Sequence, residues 1–510
     1  MTAATGSTNG HVPLVAAPAE EIFDAWQLPG HVPGPTTNWL TLERNGLRVR
    51  APSLDAQELS GLAARLRQRQ RDYLWQLRID QIAELIGWAI NRWLDPFSPY
   101  LYQAERLIST WTGYPRAAVR KGLGGWLGTL RTENLRRVLD DELGDPSVLD
   151  GFQPRNAGVG WTRAVGPELV SHSFAGNVPG LPAQSLVAAL LAKSASLGKV
   201  ASDEPIFAPL FARSLAEVDQ RLGECVAVSY WPGDSPASRQ SFEQADLVVA
   251  YGSEATIDGI RRALPTGRRL IAYGHKLSFG IVGRELLTPA NLDEVADRAG
   301  YDVVRFDQQG CLSPHLFYVE AGGIVEPRTF AEALAASLAT WQVRMPRGRL
   351  DSDERARAAA LRREHRFRAA TTGGTVFDDD SQEWAVLFDT NPTFAASCLN
   401  RHVWVKPLPD AAELGQLLAP VRRYLQTAGV AFDAPRQVAV AELLADAGLD
   451  RVCPIGQMGD PPATWHHDGR FNVLDFLRFT DLEPPLSAGR WEYAHPHAGV
   501  LGMDTSEDEA

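Results

Sequence analysis

Apolar residues recur along this chain at two spacings. From Ser53 to about Trp93 the spacing is helical: Leu59, Leu62 and Leu66 share one stripe, and Ile79, Ile82, Ile86, Ile90 and Trp93 another. Asp95-Pro96 ends that segment, because the proline ring cannot continue a helix. Further helix is expected through Leu143, so the first third is mainly α. After Gly166 short apolar runs (Cys225–Tyr230, Leu247–Tyr251 and Leu270–Tyr273) alternate with amphipathic helices, one of which carries Phe207, Leu210, Phe211, Leu215 and Val218 on one stripe. Such alternation predicts a doubly wound parallel sheet. A second α/β region is expected from about Leu287 to Leu482, with a capping-box helix start at Thr329 and Glu332, and a charged segment from Asp351 to Ala370 dividing it. The predicted architecture is α/β, with two doubly wound α/β units and a helical N-terminal region. The expected divisions are an unstructured 1–22, a helical 23–165, an α/β unit at 166–286, a second at 287–450, a C-terminal segment at 451–503 and an acidic tail at 504–510.

Composition narrows the function classes. With 510 residues the chain exceeds one hydrophobic core, and 45% hydrophobic residues are enough to build two or three. The formal net charge of −12 opposes nucleic acid and anionic lipid. The densest basic stretch, Arg355 to Arg368, is interrupted by Glu364 and is expected to be a solvated helix face. The four cysteines Cys225, Cys311, Cys398 and Cys453 form no CxxC pair, which fits a reducing compartment. No secretory pattern opens the chain, and the longest aliphatic run, Leu186 to Ala192, is far short of the roughly 20 residues a membrane span needs. A cytoplasmic location without a membrane span is the expectation.

Several segments could carry chemistry. In LVVAYGSEATIDGIRR (Leu247–Arg262) a buried strand runs through Gly252 and Ser253 into a helix, a geometry that aims free N–H groups at a phosphate and that many ordinary βα turns share. Cys311 lies in FDQQGCLSPH after an apparent strand, Val303 to Phe306, with Gly310 leaving room for a substrate. Packing is the commoner fate of a free cysteine, and it is the expected one for Cys225, Cys453 and Cys398, the last in a helix. Asn177, in HSFAGNVPG, could donate to an oxyanion or simply make a turn. Lys199, in GKVASDEP, could reach ribose or phosphate oxygens or stay solvated. In WHHDG, His466 and His467 point to opposite faces of an extended chain, and HPH (His495–His497) is no stronger, so no metal is expected.

Together these segments resemble the aldehyde dehydrogenase superfamily, and within it the acyl-CoA reductase family of the LuxC type. The resemblance covers roughly Ser109 to Glu483. It is densest in HSFAGNVPG, SYWPGD, VVAYGS, YGHKLSFG, QQGCLSPH and CPIGQM…PPATWHHDGR. It implies an aldehyde dehydrogenase-like fold with Cys311 as the nucleophile. Asn177 and the backbone N–H of Cys311 would form the oxyanion hole. Lys199 and Ser202 would meet the adenosine ribose, Gly252 and Ser253 the pyrophosphate, and Gln309 would line the pocket.

Two departures from the superfamily pattern sharpen the chemistry. Where hydrolytic members carry the glutamate of an ELGGK segment, this chain has YGHKLSFG, which holds no carboxylate to activate water. His275 lies near that position as a possible acid or base, and equally as a structural histidine. The stretch SCLNRHVWVKP also lacks the EIFGP-type glutamate that contacts the nicotinamide ribose. The resemblance therefore implies NADPH-dependent reduction of an acyl thioester to an aldehyde. The donor would be acyl-CoA or an acyl-carrier protein, with room for an acyl-transferring partner enzyme and a homo-oligomeric assembly. The alternatives are an NAD(P)-dependent aldehyde dehydrogenase making acids, a cysteine acyltransferase without redox chemistry, and a non-catalytic binding subunit.

Overall fold

The computed structural model describes residues 21–30, 34, 37–155 and 160–483. The stretch expected to be unstructured up to Ile22 lies outside these residues except for its last two. The HPH segment and the acidic tail also lie outside them.

The helical third forms as its apolar spacing predicts. Helices Ala56–Asp72, Ile79–Leu94, Pro99–Thr112, Arg116–Gly128 and Thr132–Leu143 follow one another, and Leu59, Leu62, Leu66, Ile79, Ile82, Ile86, Ile90 and Trp93 are all buried. The second helix stops at Asp95, just before Pro96. The alternation signal missed a small sheet ahead of these helices. Its strands Glu21–Asp24 and Trp39–Arg44 flank Leu47–Pro52, and Leu47–Pro52 alone shows the in–out burial of a half-covered strand.

The first large sheet is entirely parallel. Its five strands run in the spatial order Arg269–Tyr273, Leu247–Tyr251, Leu169–Ser173, Ala195–Lys199 and Val226–Ser229. The chain builds outward from Leu169–Ser173 in one direction, then returns to its other side with Leu247–Tyr251. The strand order therefore reverses between the ends of those two strands. In an open α/β sheet that reversal leaves a crevice at the carboxyl ends, where ligands bind.

The second sheet has seven strands, ordered Thr375–Phe377, Ala385–Phe388, His402–Leu408, Pro314–Glu320, Leu277–Val282, Leu425–Ala431 and Arg451–Pro454. All neighbours are parallel except the first pair. The chain passes from one sheet to the other through only three residues, Gly274 to Lys276. Strand Leu277–Val282, assigned from sequence to the first α/β unit, therefore pairs in the second sheet. Because the link is so short, the strands of the second sheet begin where those of the first end. A small antiparallel sheet joins Trp161–Val165 to Arg478–Leu482 and to Gln153–Pro154.

Four local expectations need correction. Val303 to Phe306 is not a strand: helix Leu292–Val304 runs into a tight turn at Arg305–Gln308. A short apolar run cannot by itself distinguish a strand from a buried helix end. The helix expected to start at Thr329 begins at Pro327, with Glu326 at its cap position and no side-chain cap. The capping box of this region is instead Asp351 with Glu354, opening helix Ser352–Thr372. That basic helix is largely solvated, yet Arg362 and His365 are buried. Cys398 lies in a loop rather than a helix.

Gly280, in the middle of the second sheet, pairs with Phe317 on one side and Gly429 on the other. A Cβ there would lie 2.1 Å from the Phe317 ring. Gly280→Ala should therefore cost about 1–3 kcal/mol through overpacking. The expected result is a lower urea midpoint with an unchanged slope. An unchanged midpoint would show that Phe317 has room to turn away.

Candidate active site

A cleft of about 820 Å³ lies where the two sheets meet end to end. The first sheet contributes the residues at and just after its strand ends: Ser173, Lys199, Tyr251, Gly252 and Tyr273. The second contributes residues just before or at its strand starts: Lys276, Cys311, His315, Leu399 and Tyr424. Cys311 is the one cysteine of the four on this surface, and it keeps partial exposure.

The backbone before Cys311 follows an unusual path. Phe306, Asp307 and Gln308 are all left-handed, with φ of 47°, 50° and 63°. A second left-handed triplet, Leu399, Asn400 and Arg401, has φ of 65°, 56° and 63°. None is glycine, so each residue carries strain that its surroundings must offset. The two triplets brace each other. Asp307 accepts from Arg401 Nε at 2.6 Å and from the Gly348 N–H at 2.9 Å. The Asn400 N–H donates to the Asp307 carbonyl at 2.9 Å, and Gln309 Nε2 donates to Asn400 Oδ1 at 2.9 Å. Gln308 Nε2 donates to the Pro314 carbonyl at 2.8 Å and closes the loop around Cys311. From the other side, Ser278 Oγ donates to the Cys311 carbonyl at 2.6 Å.

The same cleft carries a charged cluster that local sequence did not reveal. Lys276 Nζ lies 3.1 Å from Asp450 and 4.0 Å from Asp468. Asp468 also accepts a short hydrogen bond from the fully buried Gln426. Asp468 belongs to the WHHDGR segment, for which sequence offered no role. That segment is anchored by Glu142, which accepts from the N–H groups of Asn472, Val473 and Leu474, while Asn472 donates to the Trp465 carbonyl at 3.0 Å. His467 stacks on Tyr273 at 4.4 Å and on Trp465 at 4.9 Å, extending the Tyr251–Tyr273 stack. His466 is exposed, edge-on to Phe471.

Burial controls the protonation of this surface. Enclosure pushes the Cys311 thiol up to about 12, and the Asp468 carboxylate adds to the rise. Hydrogen bonds from Gln426 and from the thiol's own backbone N–H oppose it, as does the Lys276 ammonium. His467 is pulled down to about 3 and His315 to about 4, chiefly by burial, so both are neutral near pH 7. His315, whose Nδ1 accepts from the Ser397 N–H at 3.1 Å, also went unrecognised in the sequence.

The other candidate residues divide into two groups. Asn177 is on the cleft, and one of its amide hydrogens is used on the Gln309 carbonyl at 2.7 Å, leaving the second available. Gln309 lines the same surface, and His275 is exposed at the rim, edge-on to Tyr424. Lys199 ends its strand inside the cleft, largely buried and without a hydrogen-bond or ion-pair partner among the described residues, and burial lowers its pKa. Gly252 closes the strand before helix Glu254–Ala263, whose cap is Ser253, accepting from the Thr256 N–H at 3.2 Å. Ser202 is exposed and does not line the cleft, although Ala201 and Asp203 beside it do. An unpaired lysine and an open helix start at a strand-order reversal fit a dinucleotide.

Comparison with known proteins gives a consistent result. The family profile described as "Acyl-CoA reductase (LuxC)" matches residues 74–479. A long-chain acyl-protein thioester reductase of Aliivibrio fischeri is 24% identical over 417 residues, covering 81% of this chain and 84% of its own. The enzyme of the same name from Photorhabdus luminescens is 27% identical over 352 residues, 68% of this chain and 70% of its own. Among solved structures, an NAD-dependent aldehyde dehydrogenase from Sinorhizobium meliloti superposes with a TM-score of 0.72 at 14% identity, covering 93% of this chain and 97% of that one.

The Asp307–Arg401 pair supplies a direct test of how the Cys311 loop is held. Arg401→Met leaves a buried carboxylate unpaired and should lower unfolding stability by about 3–5 kcal/mol. In a double-mutant cycle with Asp307→Asn, the combined loss should fall well below the sum of the single losses. Additive losses in denaturant melts would show that the two side chains act independently.

Proposed function

The chain belongs to the acyl-CoA reductase (LuxC) family, and on that premise we propose that it reduces an acyl thioester to an aldehyde through Cys311, with NADPH as the hydride donor. The observation that carries this reading is the position of Cys311: the one cysteine of the four on a cleft whose other wall is the ligand crevice of a parallel sheet.

The chemistry follows from those positions. The Cys311 thiolate attacks the thioester carbonyl, and the negative charge that develops on oxygen is met by the free Asn177 amide hydrogen and the Cys311 N–H. The carbon–sulfur bond to the donor breaks, the donor thiolate leaves, and the acyl group remains on Cys311. One thioester is exchanged for another, so the acyl transfer to Cys311 needs little driving force. Lys199 would hold the ribose of the dinucleotide, with Gly252 and Ser253 at its diphosphate. When bound, the reduced nicotinamide supplies the hydride to the acyl carbon. The resulting oxyanion meets the same two donors, then collapses to aldehyde as the bond to Cys311 breaks. Ser202, off the cleft surface, is the weakest member of the proposed binding set.

The acid-forming alternative turns on water. The YGHKLSFG segment offers no carboxylate, but the cleft does contain Asp468, brought in from a distant segment. Its carboxylate is engaged by Gln426 and lies 4.0 Å from Lys276, which favours a fixed charge over a free base for water. An acyltransferase without redox chemistry leaves the buried, unpartnered Lys199 and the open crevice without a purpose.

The donor is an acyl thioester carried by CoA or by a protein, and the relatives' name, acyl-protein thioester reductase, favours the protein-bound form. No helix among the described residues is long and apolar enough to cross a membrane.

NADPH consumption over a panel of acyl-CoA and acyl-carrier-protein substrates should match aldehyde formation one for one. Cys311→Ala should reduce both to background. Carboxylate as the main product, or aldehyde formation that survives in the alanine variant, would overturn the proposal.

A further inference from the structure

A thiol attacks a thioester as its anion, and burial makes an anion costly unless a cation faces it. An oxidised nicotinamide ring is positively charged, whereas a reduced ring is neutral. If Cys311 is acylated in an enzyme that works with reduced dinucleotide, as proposed above, the cation must come from the chain itself.

The groups on and around the cleft of Cys311 leave few sources for it. His315, at the start of its strand, and His467, on the C-terminal segment, are neutral because burial pulls them down to about 4 and 3. Tyr251 and Tyr273, at two strand ends of the first sheet, are held protonated by burial. His275 is at the exposed rim beside Tyr424. Lys199 ends a strand of the first sheet in the dinucleotide crevice. Arg470, on the C-terminal segment, is exposed and turned to Asp475 at 3.3 Å. The carboxylates Asp203 and Glu254 are exposed on the crevice side.

Lys276 is the remaining cation, and its position is unusually fixed. It is the last residue of the three-residue link between the sheets, and two residues later Ser278 Oγ holds the Cys311 carbonyl at 2.6 Å. Its ammonium is largely buried and is held by Asp450 at 3.1 Å and the Leu425 carbonyl at 3.5 Å, with Asp468 at 4.0 Å. Asp468 raises the cost of the Cys311 anion, and Lys276 offsets part of that rise, beside the hydrogen bonds from Gln426 and the Cys311 N–H. We propose that Lys276 is the fixed cation that offsets Asp468 at the Cys311 thiolate, and that Asp450 and Asp468 hold it in place in the cleft it shares with Cys311.

In this arrangement Lys276 is a positioning residue, acting on the sulfur by charge, and the two variants that remove charge have opposite signs. Lys276→Met removes the cation and should raise the thiol pKa. Asp468→Asn removes the neighbouring anion and should lower it. Loss of packing would not split the two in this way.

The test is alkylation of Cys311 by iodoacetamide in the full chain without cofactor, from roughly pH 6 to 10, with peptide mass spectrometry separating Cys311 from the half-buried Cys398. Lys276→Met should slow Cys311 alkylation about tenfold at about pH 8. Lys276→Arg should restore much of the rate, and Asp468→Asn should speed Cys311 alkylation at each pH. An unchanged rate in Lys276→Met would overturn the proposal, as would slower alkylation in Asp468→Asn. If Lys276→Met fails to fold, the arginine and asparagine variants carry the test alone. The profile is independent of product, so absence of aldehyde in the wild type would defeat the reductase reading and leave this inference standing.

Discussion

The buried ion pair between Asp307 and Arg401 is what the geometry of the cleft depends on. It joins residues 94 positions apart and so ties together two left-handed backbone triplets, neither of which contains a glycine to adopt that conformation cheaply. Each triplet would relax alone. Bound to each other through Asp307, Arg401, Asn400 and Gln309, they fix the loop from which Cys311 projects. Phe306, at the head of the first triplet, rests where Gly122 lacks a Cβ: a methyl there would come within 2.5 Å of its ring. The helical N-terminal third thus reaches the Cys311 loop by direct packing.

Sheet topology explains why that loop opens onto a ligand crevice. The three-residue link at Gly274–Lys276 sets the strand ends of one parallel sheet against the strand starts of the other. Lys199 and Gly252 lie at the first, where the strand order reverses, and Cys311 and His315 at the second. The junction is deep enough to bury two histidines and to enclose most of a thiol. It therefore favours neutral side chains, and any charge retained there must be paired, as Lys276 is with Asp450. A thiol in such surroundings is inert until charge and hydrogen bonds are arranged for its anion.

Much of this was legible in the sequence, and what escaped has a physical reason. Buried parallel strands such as Leu247–Tyr251 announce themselves as apolar runs, and the helix stripe from Ile79 to Trp93 repeats at a helical period. The order of the motifs singled out Cys311, Asn177, Lys199 and Gly252, all of which meet on one cleft. The run Val303 to Phe306 misled because its apolar residues end a buried helix and then enter a left-handed turn that has no glycine marker. Lys276 gave no local sign, since its partners Asp450 and Asp468 lie 174 and 192 positions further on and arrive through sheet pairing and the Glu142-anchored segment. Ser202 matched a motif position, but its loop carries it to the surface.

The central claim is that Cys311 carries the acyl group between donor and hydride. The most direct measurement mixes the protein with a radiolabelled long-chain acyl thioester in the absence of nicotinamide cofactor, then maps the label by peptide. The account predicts a single acyl group on the peptide containing Cys311, discharged as labelled aldehyde when NADPH is added. Label on any other residue, or label released only as free acid after NADPH addition, would contradict it.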